Sequence, residues 1–362
     1  MKYVKSFCSL LVVFVIVLSM AGCHQKDEIA LELGEHKVTS ALYMCFLIYA
    51  DLEGRNKVNE TADQTKEPDY YAEKIEEKDY VIWVKDRAEE MCREYIAYEL
   101  LLKEGKYELT EEEKADAENY ADYYWNQYQY STLLEPNGVN YETFKKHSLY
   151  QYMSGAYFMS IYDESGTKPV DSSDKNAEMV KNFEAVRKID GKYEEGAEDE
   201  QKAEIKSKLE DYYKKLTKPD ATAATFEECY DEYNQMDHEG HDHDEKKVDE
   251  NGKPNAPQDE YIDLVGAADT CYANENFDAI KKMQVGEVKL FELKNGAGYS
   301  LIVRQDITKD PYWPVVLNGD VLHILKDDEF KKDFSDYTAT LKITVNNFAI
   351  GQFNVKNIKY PS

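Results

Sequence analysis

Metal-ligating side chains are concentrated in one short tract. His238, His241 and His243 stand among Asp237, Asp242 and Asp244 in the run HEGHDHDE, and imidazole with carboxylate is a donor set for zinc, nickel or copper. Residues 237–258 are charged and hold Pro254 and Pro257, so the segment reads as a mobile insertion. Ordering it would cost free energy, which limits the tract to weak divalent metal binding; the other reading is a solvated charged loop with no ligand. Cysteine chemistry is sparse. Cys45, Cys92, Cys229 and Cys271 are widely spaced and form no CxxC pair, which excludes a zinc knuckle or a dithiol redox motif. Cys45 and Cys92 lie among apolar residues and read as buried thiols; Cys229 and Cys271 could pair as a disulfide outside the cytoplasm, and spacing leaves that open. Carboxylates are too numerous to single out a hydrolase pair, and there is no nucleophile elbow, phosphate loop or HExxH motif.

Aromatic chemistry is abundant. The chain has 30 tyrosines, with runs at Tyr120 to Tyr130 and Tyr150 to Tyr157. Tyrosine offers a rigid apolar face with a polar tip and contacts varied partners at low entropic cost. Tyr120, Tyr124 and Tyr128 are therefore candidates for binding unfolded polypeptide, against the plainer reading of helix packing with the hydroxyls at the surface. The formal charge is −28, which excludes nucleic acid as a partner, since nothing basic is available to neutralise phosphates. Such a charge serves solubility and also attracts basic unfolded chains.

The N-terminal run MKYVKSFCSLLVVFVIVLSMAGC places Lys2 and Lys5 before an apolar stretch from Phe7 to Leu18, with Ala21 and Gly22 leading into Cys23. The stretch is shorter than the roughly 20 residues that a membrane-spanning helix needs, and it reads as a signal peptide over residues 1–22. A cysteine behind small residues resembles the lipobox of bacterial lipoproteins, with Met20 where that pattern prefers Leu. The resemblance implies cleavage before Cys23, a lipid anchor on Cys23 and a place on the extracytoplasmic face of the cell membrane.

Those groups need elements to position them. Ile29, Leu31 and Leu33 alternate with Ala30, Glu32 and Gly34 as a short strand and turn. Thr39 or Ser40 then caps a helix bearing Leu42, Cys45, Phe46 and Tyr49, and residues 51–69 read as its frayed end and a loop. A helix from about Asp79 to Lys103 stops at Gly105. Thr110 with Glu113 forms a capping box that opens the helix carrying the tyrosines, and another helix covers Tyr141 to Tyr162. The run ESGTKPVDSSD from Glu164 to Asp174 has linker composition. Beyond it, Glu178 to Phe183, Glu198 to Leu216, the segment after Thr225 and Phe277 to Met283 read as helical. Val285 to Val288 and Gly298 to Val303 read as strands. Asp310-Pro311 marks a second boundary, followed by a helix from about Val316 to Tyr337 and a strand-like Leu341 to Val345.

This order of parts resembles the extracytoplasmic foldases of PrsA and SurA type. The resemblance is carried by Ile29 to Phe46 (IALELGEHKVTSALYMCF), by Arg93 to Glu113 (REYIAYELLLKEGKYELTEEE) and, most specifically, by Phe277 to Ile307 (FDAIKKMQVGEVKLFELKNGAGYSLIVRQDI). It implies an α+β protein: a discontinuous helical chaperone domain, residues 23–170 completed by 310–362, with a parvulin-like prolyl isomerase domain inserted at 175–308. Parvulins place a hydrogen-bonded histidine pair beside the twisting amide, one His in the first strand and one after the Tyr of the last. Here Ala185 to Ile189 contains no His, and Ser300 follows Tyr299. Ile262 to Gly266 stands as a remnant of the family's Gly-Gly-Asp-Leu-Gly turn, Phe277 keeps the pocket aromatic, and the HIL of Leu322-His323-Ile324-Leu325 falls in the wrong domain. No residue is assigned a catalytic role; Ser300 and Phe277 occupy parvulin-like positions. The resulting expectation is a lipid-anchored chaperone for unfolded or newly exported polypeptides, working without cofactor. The alternatives are an active prolyl isomerase and a metal- or solute-binding lipoprotein.

Overall fold

The computed structural model describes residues 28–61, 68–194, 196–235, 248, 254–267 and 274–361. Cys23, Cys271 and the tract His238, His241 and His243 lie outside the described residues. The protein is α+β, and its chain divides into two compact units, Met1–Pro169 with Asp328–Ser362, and Val170–Asp327. Among the described residues no helix is long and apolar enough to cross a membrane.

The first unit opens with an antiparallel hairpin, β1 (Ile29–Leu33) and β2 (His36–Thr39). Gly34 makes the turn at φ +63°, a conformation that costs a glycine little because it has no Cβ. Helix α1 (Ser40–Thr61) follows, with the Thr39 hydroxyl accepting from the Leu42 amide at 3.3 Å. The sequence suggested a frayed end from Asp51, yet α1 stays helical to Thr61. Asp51 is fully buried and satisfied: Arg55 Nε donates to its Oδ2 at 2.8 Å, Tyr80 donates to its Oδ1 at 3.0 Å, and Tyr360 donates to it as well. A carboxylate that looks like loop composition is thus paid for by partners remote in sequence.

A short ribbon, β3 (Lys74–Ile75) and β4 (Lys78–Asp79), leads into α2 (Tyr80–Lys103). Next come α3 (Glu111–Asn126), α4 (Ser131–Leu134) and α5 (Tyr141–Tyr162). The α3 capping box forms as its sequence implies, Thr110 Oγ1 accepting from the Glu113 amide at 3.1 Å and Glu113 Oε2 from the Thr110 amide at 2.7 Å. Asn140 caps α5. Phe46, Tyr95, Phe144 and His147 meet in the core of this unit, with Cys45 and Cys92 as buried free thiols.

In the second unit α6 (Ser172–Asn182) runs into β5 (Phe183–Lys192), followed by α7 (Asp199–Leu216), α8 (Ala223–Asn234), β6 (Ile262–Gly266), α9 (Asn274–Lys281), β7 (Val288–Glu292), β8 (Gly298–Arg304) and α10 (Tyr312–Val316). The sheet is antiparallel in the order β6-β5-β8-β7. Alternation along the strands gives it two buried faces. Ile189 and Leu301 pack with Leu209, Tyr212 and Phe226 of α7 and α8, while Val186, Ile302 and Phe291 pack with Phe277 and Ile280 of α9. Gly298, at φ +141°, leaves no room for a side chain, since a Cβ there would lie 2.1 Å from the Gly191 carbonyl oxygen.

Two expectations are corrected here. Ile262 to Gly266 is strand β6, paired along β5, not a turn; its Ile, Leu and Val side chains suit a pleated half-buried edge. The second strand starts at Val288, because Gly286 at φ +83° turns the chain before it. Cys229, whose pairing the sequence leaves open, is a buried thiol.

The chain continues through α11 (Asn318–Thr340), whose residues fall in both units, then β9 (Thr344–Val345) and α12 (Asn347–Gly351). Only Thr344 and Val345 of the expected final strand pair, antiparallel to β1 at Glu32 and Leu31.

Candidate functional site

The centre of the second unit's sheet holds polar groups that core packing does not require. Register sets Asp190 of β5 opposite Ser300 of β8, and Lys188 opposite Ile302. Ser300 is fully buried, and its hydroxyl donates to Asp190 Oδ1 at 2.5 Å. Lys188 Nζ lies 2.8 Å from Asp263 Oδ2 of β6 and 3.8 Å from Asp190 Oδ2. Strand alternation puts Lys188, Asp190 and Ser300 on the face that carries Val186 and Ile302, the face covered by α9. The sequence has no histidine in either strand at this place. The sheet instead carries a hydroxyl–carboxylate pair with an ammonium beside it.

Chemically that trio is well satisfied and poorly suited to amide twisting. The serine proton is committed to a carboxylate, an acceptor that holds it more strongly than a neutral group would. No described histidine lies on this sheet: His36 is in β2 beside Glu99, His147 is in α5, and His323 is in α11 beside Asp327. Phe277 is 7% exposed and packed into the core beneath the sheet, so its ring is structural filling more than an open pocket wall. Asp190 is the residue that sequence reasoning missed. Its only sequence signal is register, because the partner of Ser300 is fixed by pairing and not by a motif.

The tyrosines of the first unit form a ladder. Ala117 and Ala121 are the buried positions of α3, and their small side chains let it sit close to α5. Tyr141 donates to Asp122, and Lys145 pairs with Glu118, fixing the two helices together. That placement turns the aromatic face outward. Tyr120 and Tyr124 have ring centroids 4.2 Å apart, Tyr124 and Tyr128 stack at 5.0 Å, and Tyr123 meets Tyr128 edge-on at 5.3 Å. Tyr123 and Tyr128 are 53% and 58% exposed, with Tyr120 and Tyr124 half-buried behind them. Burial pushes the Tyr120 phenol up to about 12, so its hydroxyl stays protonated. Gln129 at φ +54° ends the ladder by reversing the chain.

A cleft of about 720 Å³ opens elsewhere in the same unit, lined by Trp83, Lys57, Arg87, Arg93, Glu53 and Glu90 among others. Arg87 engages Glu53, Glu90 and Glu94, so its charges are largely neutralised from within. No group of three or more His, Cys, Asp or Glu side chains is placed to hold a metal ion among the described residues.

No family model matches this chain, and no curated protein does. Solved structures of foldases are similar to it. Foldase protein PrsA from Lactococcus lactis is 10% identical over 90% of this chain and 99% of its own, with a TM-score of 0.40. The PrsA foldase of Streptococcus pneumoniae is 14% identical over 78% of this chain and 95% of its own, with a TM-score of 0.36. PrsA from Bacillus subtilis is 16% identical, covering 71% and 85%, with a TM-score of 0.32. At such identities each residue's role has to be argued from this chain.

Proposed function

We propose that this protein is an extracytoplasmic, lipid-anchored chaperone of foldase type that binds unfolded or newly exported polypeptide and does not isomerise X–Pro bonds at the rate of a parvulin. The observation that carries the reading is the exposed tyrosine ladder. Tyr123 and Tyr128 stand open beside Tyr120 and Tyr124, a contiguous aromatic surface of the kind that marks a binding site. Stiff side chains with polar tips accept many sequences at little entropic cost, as a chaperone requires. The acidic surface adds attraction for basic clients.

Support for the absence of isomerase activity comes from Ser300 and Asp190. Rotation about an X–Pro bond crosses a barrier of about 20 kcal/mol, and a buried hydroxyl already bonded to a carboxylate has no proton to lend the amide nitrogen. The anchor rests on Cys23 and the leader before it.

One pair of assays tests both halves. Replacing Tyr124 and Tyr128 together with Ala should weaken suppression of client aggregation severalfold while leaving thermal stability nearly unchanged. Turnover of a proline peptide should be indistinguishable from the uncatalysed rate in the unsubstituted protein. Undiminished suppression in the double variant would overturn the ladder as the client site; proline turnover abolished by Ser300→Ala would overturn the view of the sheet.

A further inference from the structure

Phe348 on α12 is 75% exposed, with Ile343 and Ile350 half-buried near it in the sequence. Its helix is tied to the start of the described chain. The Asn346 amide donates to the Ala30 carbonyl at 2.8 Å, and its side-chain Nδ2 donates to the Ile29 carbonyl at 3.1 Å and to Glu28 Oε1 at 3.3 Å. Gln352 Nε2 donates to Glu28 Oε2 at 3.5 Å. Glu28 follows Cys23 by five residues, so chain length alone keeps the two Cα atoms within about 18 Å. The helix that bears the open phenyl ring is therefore tied to Glu28, five residues along the sequence from Cys23.

Charge points the same way. From Leu341 to Ser362 the sequence holds Lys342, Lys356 and Lys359 and no Asp or Glu, in a chain of net charge −28; all three lysines are exposed. This stretch repels an anionic leaflet less than the rest of an acidic chain does, although the Glu28 carboxylate lies against Asn346 and Gln352. An exposed aromatic ring in a stretch whose only charged side chains are lysines has the composition that settles at a headgroup boundary, here with Lys356 over the Tyr71 ring and Lys359 donating to the Pro136 carbonyl.

We propose that α12 is a second membrane contact, in which Phe348 enters the headgroup–acyl boundary of the bilayer that holds the lipid on Cys23. The inference rests on the reading of Cys23 as the anchor. A diacylglyceryl group on one cysteine leaves a protein free to swivel about that point, and a second contact on α12 fixes which side of the first unit faces the membrane.

The test uses the lipidated protein in vesicles of phosphatidylcholine with phosphatidylglycerol. The photo-reactive residue benzoylphenylalanine replaces Phe348 in one preparation and Val285, 59% exposed in the second unit, in another. Irradiation should yield lipid adducts at position 348 roughly tenfold above those at 285, in keeping with an interfacial site. The mass of the N-terminal peptide reports acylation of Cys23 in the same sample. Acylated Cys23 with no excess of adducts at 348 overturns the second contact and leaves the anchor standing. Unacylated Cys23 overturns the anchor and this inference together. Should the bulky probe disturb folding, Phe348→Trp decides the matter: brominated lipid should quench more fluorescence than in the unsubstituted protein, and equal quenching overturns the proposal.

Discussion

His147 shows how far burial alone can move a side chain. It is completely enclosed, stacked on Tyr49 with ring centroids 3.9 Å apart, and its Nδ1 has no hydrogen-bond partner. Desolvation lowers its pKa from 6.5 to about 3. The folded state therefore keeps the imidazole neutral while the unfolded chain protonates below pH 6.5. That contribution to stability is complete above pH 6.5 and is lost as pH falls towards 3. Acidifying from pH 7 to 5 should cost about 2 kcal/mol at this residue. Urea midpoints of the unsubstituted protein and His147→Phe, compared between pH 7 and 5, check this: the variant should lose less stability, and parallel acid limbs would refute it. Asp190 is the second residue of interest. Asp190→Ala removes the charged acceptor of a buried hydroxyl and should cost about 1.5–3 kcal/mol, read as a drop in denaturant midpoint. Client binding should be unaffected, because the ladder lies in the other unit.

Among the elements, α3 is the one that carries the proposed client surface. It is acidic in its first turn, Glu111, Glu112 and Glu113, where the N-terminal end of the helix dipole favours negative charge. Its capping box satisfies two amides that would otherwise lack partners. Thr110→Ala should cost about 1 kcal/mol, and the loss should appear first as increased amide hydrogen exchange in the opening turns of α3. Exchange confined to some other helix would mean that the cap does not govern this element. The ladder depends on the same helix remaining straight to Asn126, so the variant should also weaken client binding modestly.

For the molecule as a whole, charge is the dominant variable. At −28 the surface repels itself and acidic partners, and salt screens this over a Debye length of about 10 Å at 0.1 M. Suppression of aggregation of a basic client should therefore weaken between about 0.05 and 0.5 M salt, while that of an acidic client should hold or improve. An identical salt response for both clients would leave the aromatic ladder as the whole basis of recognition.

Local composition determined much of this molecule. The capping box at Thr110 and Glu113, the stop at Gly105, the helix over Tyr141 to Tyr162 and the strand from Gly298 depend on side chains a few residues apart, and such signals are complete within the sequence. The grouping of Tyr120 and Tyr124 on one face was legible for the same reason, since helical spacing alone brings them together, whereas their exposure follows from how α3 packs. Other features needed the tertiary structure. Asp51 is buried because Tyr80 and Tyr360 reach it from distant segments, and no local pattern announces that α1 continues past it. Asp190 faces Ser300 because strand register says so, and a shift of one residue would have put the two side chains on opposite faces of the sheet. The helix of Phe348 is tied to Glu28 and the first strand only because β9 pairs with β1 and Asn346 binds that strand. Contacts between residues hundreds of positions apart are decided by how the whole chain closes on itself, and short-range patterns carry no record of that closure.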